Sequence, residues 1–318
     1  MSGNSEKIQS ALNEIKKGLV GQEEFAEGLL LSVISDGHLL IEGLPGLAKT
    51  RAVNLLAKVC SLGFKRIQFT PDLLPADIIG TRIFNQSRAD FEISKGPVFS
   101  NFILADEINR APAKVQSALL EAMQEKQVTI SDTTFPLPKP FFVFATQNPV
   151  EQEGTYPLPE AQLDRFIMKI NVEYPSQKEE SQIVRMIMNE VSLPEVKKVL
   201  EPQDILNLQS EARKVHIEEK IISYITDITQ ATRRPSEFRL DLSDIIQYGV
   251  SPRASIAMAV LSRARAFIKG RNAVLPEDVK AVAFPALRHR LILTYHAEAE
   301  NIRPDAVISK ILDNLKVP

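Results

Sequence analysis

Continuous apolar runs alternate with amphipathic segments over the first two thirds of this 318-residue chain. Each run is rich in Ile, Leu, Val or Phe, and none shows the strict apolar–polar alternation of a half-exposed strand. Such runs are typical of strands that are buried on both faces of a parallel sheet. With helical segments between them, they predict an α/β domain. The five candidate strands are residues 38–43, 66–70, 101–106, 141–148 and 169–174.

Two helices and two hairpins are predicted between these strands. Segments 50–60 and 112–126 place apolar residues at helical spacing. Segments 81–99 and 127–137 each contain two short strand-like runs around a polar turn, which predicts a β-hairpin inserted into the α/β domain. The apolar stripes of the two helices are Val53, Leu56, Ala57 and Cys60, and Val115, Leu119, Ala122 and Met123.

The pattern becomes helical after Tyr174, with breaks near prolines and no convincing buried strand. Ser251 and Pro252 open a long predicted helix, and Ser251 suits its N-cap. We therefore expect an α/β domain over residues 1–190 and a smaller all-α domain over residues 191–318. Apolar positions at helical spacing on the long helix are Ile256, Val260, Leu261, Ala264, Phe267 and Ile268.

Composition narrows the class of protein. Hydrophobic residues make up 44% and charged residues 25%, as in ordinary globular proteins. A formal net charge of −2 argues against binding nucleic acid through bulk electrostatics. The single cysteine, Cys60, excludes an intrachain disulfide and a cysteine zinc cluster. Segment 1–17 lacks the apolar core of a signal peptide, and the apolar stretch at 29–34 is too short to span a bilayer, so we expect a cytoplasmic protein without membrane insertion.

The sequence GLPGLAKT, residues 43–50, lies between a predicted strand and a predicted helix. Glycines let backbone N–H groups approach an anion at a helix N-terminus, which is the arrangement of a phosphate-binding loop. Lys49 would reach the outer phosphates, and Thr50 would offer its hydroxyl to Mg²⁺. Ala48 replaces the glycine that usually precedes the lysine, and its methyl group is tolerable there if the residue keeps a negative φ.

Two carboxylates and an amide follow the next buried strands. Asp106 and Glu107 come directly after one strand, and Asn148 ends another. Because ligand sites form at the carboxyl edge of a parallel sheet, we expect these groups beside the phosphate-binding loop. Asp106 would hold Mg²⁺, Glu107 would deprotonate the attacking water, and Asn148 could bond to that water. Taken alone, Asn148 could equally be a turn residue before Pro149.

The motifs GLPGLAKT, FILADEINRAP, FATQNPVEQEGTYPLPEAQLDRF and SPRA together resemble the AAA+ ATPases and, within them, the MoxR family. The resemblance runs from about Leu19 to about Arg290. It implies a P-loop α/β/α domain with two hairpin insertions, a helical lid domain, and a Mg²⁺-dependent ATPase that converts ATP to ADP. The pair Ala48–Lys49 also resembles the corresponding pair in replicative MCM helicases.

The resemblance also implies roles for individual residues. Val20 and Gly21 would line the adenine pocket. Arg165 would enter the active site of a neighbouring subunit as an arginine finger, whereas a simpler interpretation is an ion pair with Asp164 or Glu160. Arg253 would reach the γ-phosphate from the helical domain. The nucleotide-binding set implied by the phosphate loop is Gly43, Pro45, Gly46, Leu47, Ala48, Lys49, Thr50 and Arg51.

Three functions remain open at this stage. The resemblance favours a hexameric ring that remodels or assembles protein clients, with a von Willebrand A domain protein as partner. A DNA motor of the helicase type is the alternative, which the low charge and the lack of a zinc module disfavour. A nucleotide switch without turnover is the third. The basic run at Arg288, His289 and Arg290 indicates a solvated face or an interface rather than a nucleic-acid site.

Overall fold

The structure of the protein is a computed structural model that describes residues 2–87, 89–149, 154–189 and 194–318. The predicted domain boundary at 190/191 and residues 150–153 of the long motif lie outside the described residues. Strands are β1 (Leu39–Gly43), β2 (Phe64–Gln68), β3 (Gly80–Asn85), β4 (Asp90–Lys95), β5 (Phe102–Asp106), β6 (Gln127–Ile130), β7 (Thr133–Pro136), β8 (Phe142–Gln147), β9 (Met168–Val172), β10 (Ile246–Tyr248) and β11 (Ile292–Leu293).

Helices precede, connect and follow these strands, and in the described chain none is both long and apolar enough to cross a bilayer. They are α1 (Ser2–Lys17), α2 (Glu23–Ile34), α3 (Lys49–Val59), α4 (Pro75–Ile79), α5 (Ala113–Glu125), α6 (Glu160–Leu163), α7 (Gln177–Met188), α8 (Pro202–Arg213), α9 (Glu219–Arg233), α10 (Pro252–Ile268), α11 (Pro276–Leu287), α12 (Tyr295–Ala299) and α13 (Pro304–Asn314). Short 3₁₀ turns occur at Pro97–Phe99, Ile108–Arg110 and Pro235–Phe238.

The five predicted strands form one parallel sheet in the order β2-β5-β8-β1-β9, which confirms the α/β prediction. The central strands are buried on both faces: Phe102 and Leu104 of β5 belong to one apolar cluster, and Ile103 and Ala105 to the other. Their continuous apolar character follows from this. The outermost strand β2 differs from the prediction, because its position at the sheet edge leaves Lys65 exposed.

The sheet order places the predicted chemistry on neighbouring strands. Strand β8 lies between β1 and β5, so the turn after β1 and the acids that end β5 flank the polar end of β8. All three strands run in the same direction, and their carboxyl ends therefore meet at one edge of the sheet. Both predicted hairpins are also present, as β3–β4 and β6–β7.

The second domain is helical, as predicted, with one addition. Strands β10 and β11 form a small antiparallel pair that the sequence pattern did not indicate, because three and two residues are too few to show a period. Ser251 caps α10, as expected: its hydroxyl accepts a hydrogen bond from the Arg253 N–H. Ile256 is 64% exposed, however, so it lies off the buried face of α10.

The helical domain packs against the side and the amino edge of the sheet. Helix α8 contacts α2, and α11 contacts the outermost strand β9. The Gln209 amide of α8 donates to the Val33 carbonyl near the end of α2. One apolar cluster runs continuously from the sheet face through α1–α3 into α10 and α11. The two domains therefore share a core on that side of the molecule.

The turn between β1 and α3 has an unexpected backbone conformation. Ala48 adopts φ 55°, ψ 18°, so the condition of a negative φ is not met. Gly46 is left-handed as well, with φ 84°. Alternating left- and right-handed residues direct successive N–H groups into one concavity, which binds anions. For the L-residue Ala48 this conformation costs roughly 1–2 kcal/mol.

We predict that Ala48→Gly stabilises the protein. Relief of about 1–2 kcal/mol of backbone strain exceeds the loss of roughly 0.4–1 kcal/mol through a more flexible unfolded chain. The free energy of unfolding, measured by denaturant titration, should rise by about 0.5–1 kcal/mol. Ala281→Gly, at an exposed position inside α11, is the control and should lower that free energy by about 1 kcal/mol. Equal losses in both variants would contradict the strain at Ala48.

Candidate nucleotide-binding site

The phosphate-binding loop surrounds the start of α3. Helix α3 begins at Lys49, and its first N–H groups have no partner within the helix, which leaves a positive end at the turn. The Lys49 ammonium folds back over the turn and donates to the Gly43 carbonyl. Thr50 follows in the first helical turn. A backbone concavity, a helix N-terminus and an ammonium thus converge here, which fits a polyphosphate.

Gly43 is required by packing at the end of β1. A Cβ atom at this position would lie 2.8 Å from the Val172 carbonyl oxygen and 3.1 Å from the Val172 Cβ atom. A contact of 2.8 Å with backbone on the neighbouring strand β9 cannot be relieved by a side-chain rotation. Glycine therefore lets the turn leave the sheet close to β9.

Asp106 is buried at the end of β5 and is held by two neighbouring strands. Its Oδ2 accepts hydrogen bonds from Arg66 Nε at 2.9 Å and Arg66 Nη2 at 2.6 Å. Its Oδ1 accepts a hydrogen bond from the Thr146 hydroxyl at 2.6 Å. Both carboxylate oxygens are therefore oriented by β2 and β8. Sequence reasoning missed Arg66, because only the strand order brings it beside Asp106.

Glu107 occupies a left-handed turn directly after β5, with φ 56°. Its Oε2 accepts hydrogen bonds from Gln68 Nε2 at 2.8 Å and Arg110 Nη1 at 2.9 Å. The Glu107 N–H donates to the Thr146 hydroxyl at 2.8 Å. Thr146 therefore connects the two acids. Gln68, like Arg66, is a hydrogen-bond partner of these acids that the sequence did not reveal.

Asn148 is 6% exposed and follows β8 directly. The register of β8 sets Gln147 opposite Glu42, which places Asn148 next to Gly43 at the start of the phosphate loop. Asn148 therefore lies between the loop that follows β1 and the acids at the end of β5. The structure thus brings Lys49, Asp106, Glu107 and Asn148 to one edge of the sheet, as the sequence predicted.

The donor chemistry at this edge fits a magnesium ion bound together with a nucleotide. Asp106 supplies a carboxylate, and Thr50 supplies a hydroxyl at the start of α3. Mg²⁺ favours oxygen ligands and is usually held by one or two protein groups together with phosphates and water. No group of three or more His, Cys, Asp or Glu residues that could hold a metal occurs in the part of the chain that the structure describes.

An apolar cavity of about 330 Å³ adjoins the phosphate loop, and this volume suits a small planar ligand. One wall comes from Gly18, Leu19, Val20 and Gln22, and the other comes from Pro175 and α7. Val20 therefore lines the cavity as the resemblance implies, whereas Gly21 is not among its lining residues. The Arg51 Nε–H donates to the Gly18 carbonyl at 2.9 Å, which ties the first wall to α3. Residues that line the cavity include Val20, Leu47, Ala48, Arg51, Pro175, Ile183, Met186 and Ile187.

Helix α7 is amphipathic, yet across its described residues none is buried. Ile187 is 71% exposed although it lines the cavity, and Val184 is 53% exposed on the same helix. A helix whose apolar face is this accessible gains little from packing alone. A ligand in the cavity would therefore cover apolar surface on α7. Sequence reasoning had assigned no role to this helix.

Arg165 lies at the opposite end of the sheet from the phosphate loop of its own chain. The Ile167 N–H donates to the His38 carbonyl just before β1, so the segment 164–167 lies at the amino edge. Five-residue strands separate the two edges by roughly 16 Å. Arg165 Nη1 donates to the Leu120 carbonyl of α5 at 2.9 Å, and its Nε is buried without a partner among the described residues.

Arg253 lies at the same end as Arg165. Its Nη1 is 3.8 Å from Asp164 Oδ2, and its side chain is 55% exposed. The structure therefore does not bring Arg253 to the phosphate loop of its own chain. The cause is the docking of α10, whose first turn contacts the segment that precedes β9.

Comparisons with known proteins agree with this site. The family described as "ATPase family associated with various cellular activities (AAA)" matches residues 38–168, and the "AAA lid domain" matches residues 240–311. The chain is 49% identical to "Chaperone MoxR1" of Mycobacterium tuberculosis, over 98% of this chain and 82% of that protein. It is 32% identical to "Protein MoxR" of Paracoccus denitrificans, over 98% and 95% of the two chains.

A solved structure agrees in fold as well. The crystal structure of an ATPase candidate from Cytophaga hutchinsonii superimposes with a TM-score of 0.92 at 52% identity, and the match covers 99% of this chain and 96% of that one. The nucleotide-binding loop, the adjacent acids and the family matches agree, and the chain belongs to the AAA ATPases and, within them, to the MoxR family.

Proposed function

We propose that this MoxR-type ATPase hydrolyses ATP to ADP and phosphate with Mg²⁺, and uses the energy to remodel or assemble protein clients. The observation that carries the proposal is the meeting of Lys49, Asp106, Glu107 and Asn148 on three neighbouring strand ends. These are the groups that phosphoryl transfer to water requires: a phosphate cradle, a metal ligand, a base and a donor to the reacting oxygens.

Nucleotide binding would use both halves of the site. The backbone N–H groups around Gly46 and the Lys49 ammonium would hold the phosphates, which carry the charge. The apolar cavity between Val20 and α7 would take the adenine ring, to which Ile183 and Ile187 would supply apolar contacts. The first wall is tied to α3 by Arg51, so base and phosphates would be held by one connected unit.

Hydrolysis would depend on how the two acids are oriented. Thr50 and Asp106 would hold Mg²⁺, which neutralises charge on the phosphate oxygens when it is bound. Glu107 would accept the proton of the attacking water on its carboxylate. In the conformation described here, Glu107 is engaged by Gln68 and Arg110, so those hydrogen bonds set the direction in which its carboxylate points. Asn148 would donate its amide hydrogens to the water or the γ-phosphate.

Completion of the site would require a second subunit. Arg165 and Arg253 lie about one strand length from their own phosphate loop, so neither can reach the γ-phosphate that this loop holds. Both would instead act in the site of a neighbour, in a ring that by resemblance has six subunits.

A protein client fits better than nucleic acid. The net charge of −2 gives no general attraction to phosphate backbones. Similarity to a protein named a chaperone supports action on proteins. A DNA motor remains the alternative, and ATP hydrolysis that is stimulated by DNA with a steep salt dependence would favour it. A partner with a von Willebrand A domain remains an expectation from the family resemblance.

Two substitutions separate nucleotide binding from hydrolysis. Lys49→Ala should weaken binding of a fluorescent ATP analogue at least about tenfold, because a charge-assisted contact to the phosphates is lost. Glu107→Gln should bind the analogue as the unsubstituted protein does, but release phosphate about 100- to 10,000-fold more slowly, because the amide cannot accept the proton. Equal phosphate release by Glu107→Gln and the unsubstituted protein would overturn the proposed ATPase mechanism.

Helix α7 allows a test of the base pocket. Ile187→Asp places a charge in the apolar cavity and should weaken binding of ATP and ADP about tenfold or more, without loss of stability, because Ile187 is largely exposed. Val184→Asp is the matched control on the same helix, and it should leave nucleotide affinity unchanged. Calorimetric titration and thermal melts measure both effects. Similar affinity in both variants would place the base elsewhere.

Mixed assemblies test action in trans. Arg165→Ala should bind ATP normally but hydrolyse it about 1,000-fold or more slowly, because the γ-phosphate loses a guanidinium in the transition state. Mixing Arg165→Ala with Lys49→Ala, which is inactive by itself, should restore phosphate release, since intact arginines then face intact nucleotide loops. If the mixture is no more active than the sum of its parts, Arg165 does not act on a neighbouring subunit.

A further inference from the structure

The Arg290 side chain is 3% exposed and lies between α11 and β11, in the basic run for which the sequence predicted a solvated face or an interface. Its guanidinium reaches across the domain interface to the segment that carries Arg165. Burial lowers the pKa of Arg290, while the hydrogen bond that Arg290 donates to Asp164 opposes that shift. The acceptors are Asp164 Oδ1 at 2.6 Å and the carbonyl oxygens of Asp164 at 3.1 Å, Phe166 at 2.7 Å, Ile167 at 3.1 Å and Ala286 at 2.5 Å.

Arg290 therefore holds the backbone on both sides of Arg165. The carbonyl before Arg165, on Asp164, and the carbonyl after it, on Phe166, both accept hydrogen bonds from Arg290 Nη2. His289 adds a contact of 3.0 Å from Nε2 to the same Phe166 carbonyl. Burial lowers the pKa of His289 well below its ordinary value, so the ring is neutral and Nε2–H is the donor.

Asp164 connects segment 164–167 to the helical domain. Its Oδ1 pairs with Arg290, and its Oδ2 accepts a hydrogen bond from the Ser251 hydroxyl at 2.8 Å. The Ser251 oxygen in turn accepts from the Arg253 N–H at 3.2 Å, at the first turn of α10. The Arg253 guanidinium lies 3.8 Å from the same Oδ2. One carboxylate thus fixes the positions from which both Arg165 and Arg253 extend.

We propose that Arg290 is a positioning residue for catalysis in the neighbouring subunit, because its ion pair with Asp164 holds Arg165 and Arg253 as one unit. The inference rests on the proposed action of these arginines in trans. Arg165 and Arg253 can then reach the site of the neighbouring subunit only while the helical domain is docked on the segment before β9.

The geometry of the guanidinium explains why arginine is needed. Its planar fork offers five N–H donors in fixed directions, and the five acceptors around Arg290 use both terminal nitrogens and Nε. A lysine keeps the charge but cannot hold the carbonyls on both sides of Arg165 and Asp164 Oδ1 at the same time. Displacement of a catalytic group by about 1 Å can slow a reaction about 100-fold.

The test is Arg290→Lys in the full-length chain. Its affinity for a fluorescent ATP analogue should be unchanged, because the phosphate loop is at the other end of the sheet, and its kcat should fall about 10- to 100-fold with little change in KM. Mixing it with Lys49→Ala should restore phosphate release, since its own nucleotide loop would then face well-placed arginines. Asp164→Asn, which removes the same ion pair with little change in shape, should behave identically and serves if Arg290→Lys fails to fold.

Arg271→Lys is the matched control. Arg271 also forms a two-pronged pair with a buried acid in the helical domain, with distances of 2.7 and 2.6 Å to the Asp278 oxygens, but it does not contact segment 164–167. The Arg271→Lys substitution should lower thermal stability and leave kcat near that of the unsubstituted protein. A loss of kcat in Arg271→Lys equal to that in Arg290→Lys would mean that general loosening of the domain is responsible, and would overturn the proposal.

The mixtures also separate this inference from the function on which it rests. If Lys49→Ala rescues Arg165→Ala but rescues neither Arg290→Lys nor Asp164→Asn, the trans mechanism stands and the positioning role fails. If Lys49→Ala rescues none of the three, action in trans itself fails. Unchanged kcat in both Arg290→Lys and Asp164→Asn would likewise contradict the positioning role.

Discussion

The site depends on one constraint: three parallel strands end at the same edge of the sheet. β8 lies between β1 and β5, so the loop that carries Lys49 and the acids Asp106 and Glu107 are separated by a single strand. Strands in a sheet lie about 4.8 Å apart, so the ends of β1 and β5 are about 10 Å apart, with the end of β8 between them. The buried apolar clusters on both faces of the sheet keep this spacing fixed.

The same constraint places Arg165 and Arg253 far from the phosphate loop of their own chain. The chain returns to the amino edge between β8 and β9, and it carries Arg165 with it. The helical domain docks at that edge through Arg290 and α10, so Arg253, in the first turn of α10, lies at that edge as well. A subunit built in this way has the nucleotide loop at one end and the arginines at the other. Head-to-tail contacts between copies would bring the two ends together, and such contacts close into rings when the rotation permits.

Much of the fold and part of the site could be predicted from local sequence. The five strands were recognisable because burial on both faces makes them continuously apolar, and the phosphate loop because its glycines lie between a strand and a helix. Arg66 and Gln68 could not be recognised, since their partners Asp106 and Glu107 lie on a strand that is adjacent only in the folded sheet. The left-handed Ala48 violates the local preference of its residue type. The position of Arg253 and the burial of Arg290 depend on how two domains dock, which no periodicity encodes.

The central claim is that one subunit binds the nucleotide and the adjacent subunit completes the active site with its arginines. The most direct measurement is a structure of the Glu107→Gln assembly with ATP and Mg²⁺, determined by electron cryomicroscopy. The account predicts phosphates on the loop around Lys49, with a guanidinium from Arg165 of the adjacent copy within hydrogen-bonding distance of the γ-phosphate. A γ-phosphate contacted by no arginine from an adjacent copy, or nucleotide bound away from Lys49, would contradict it.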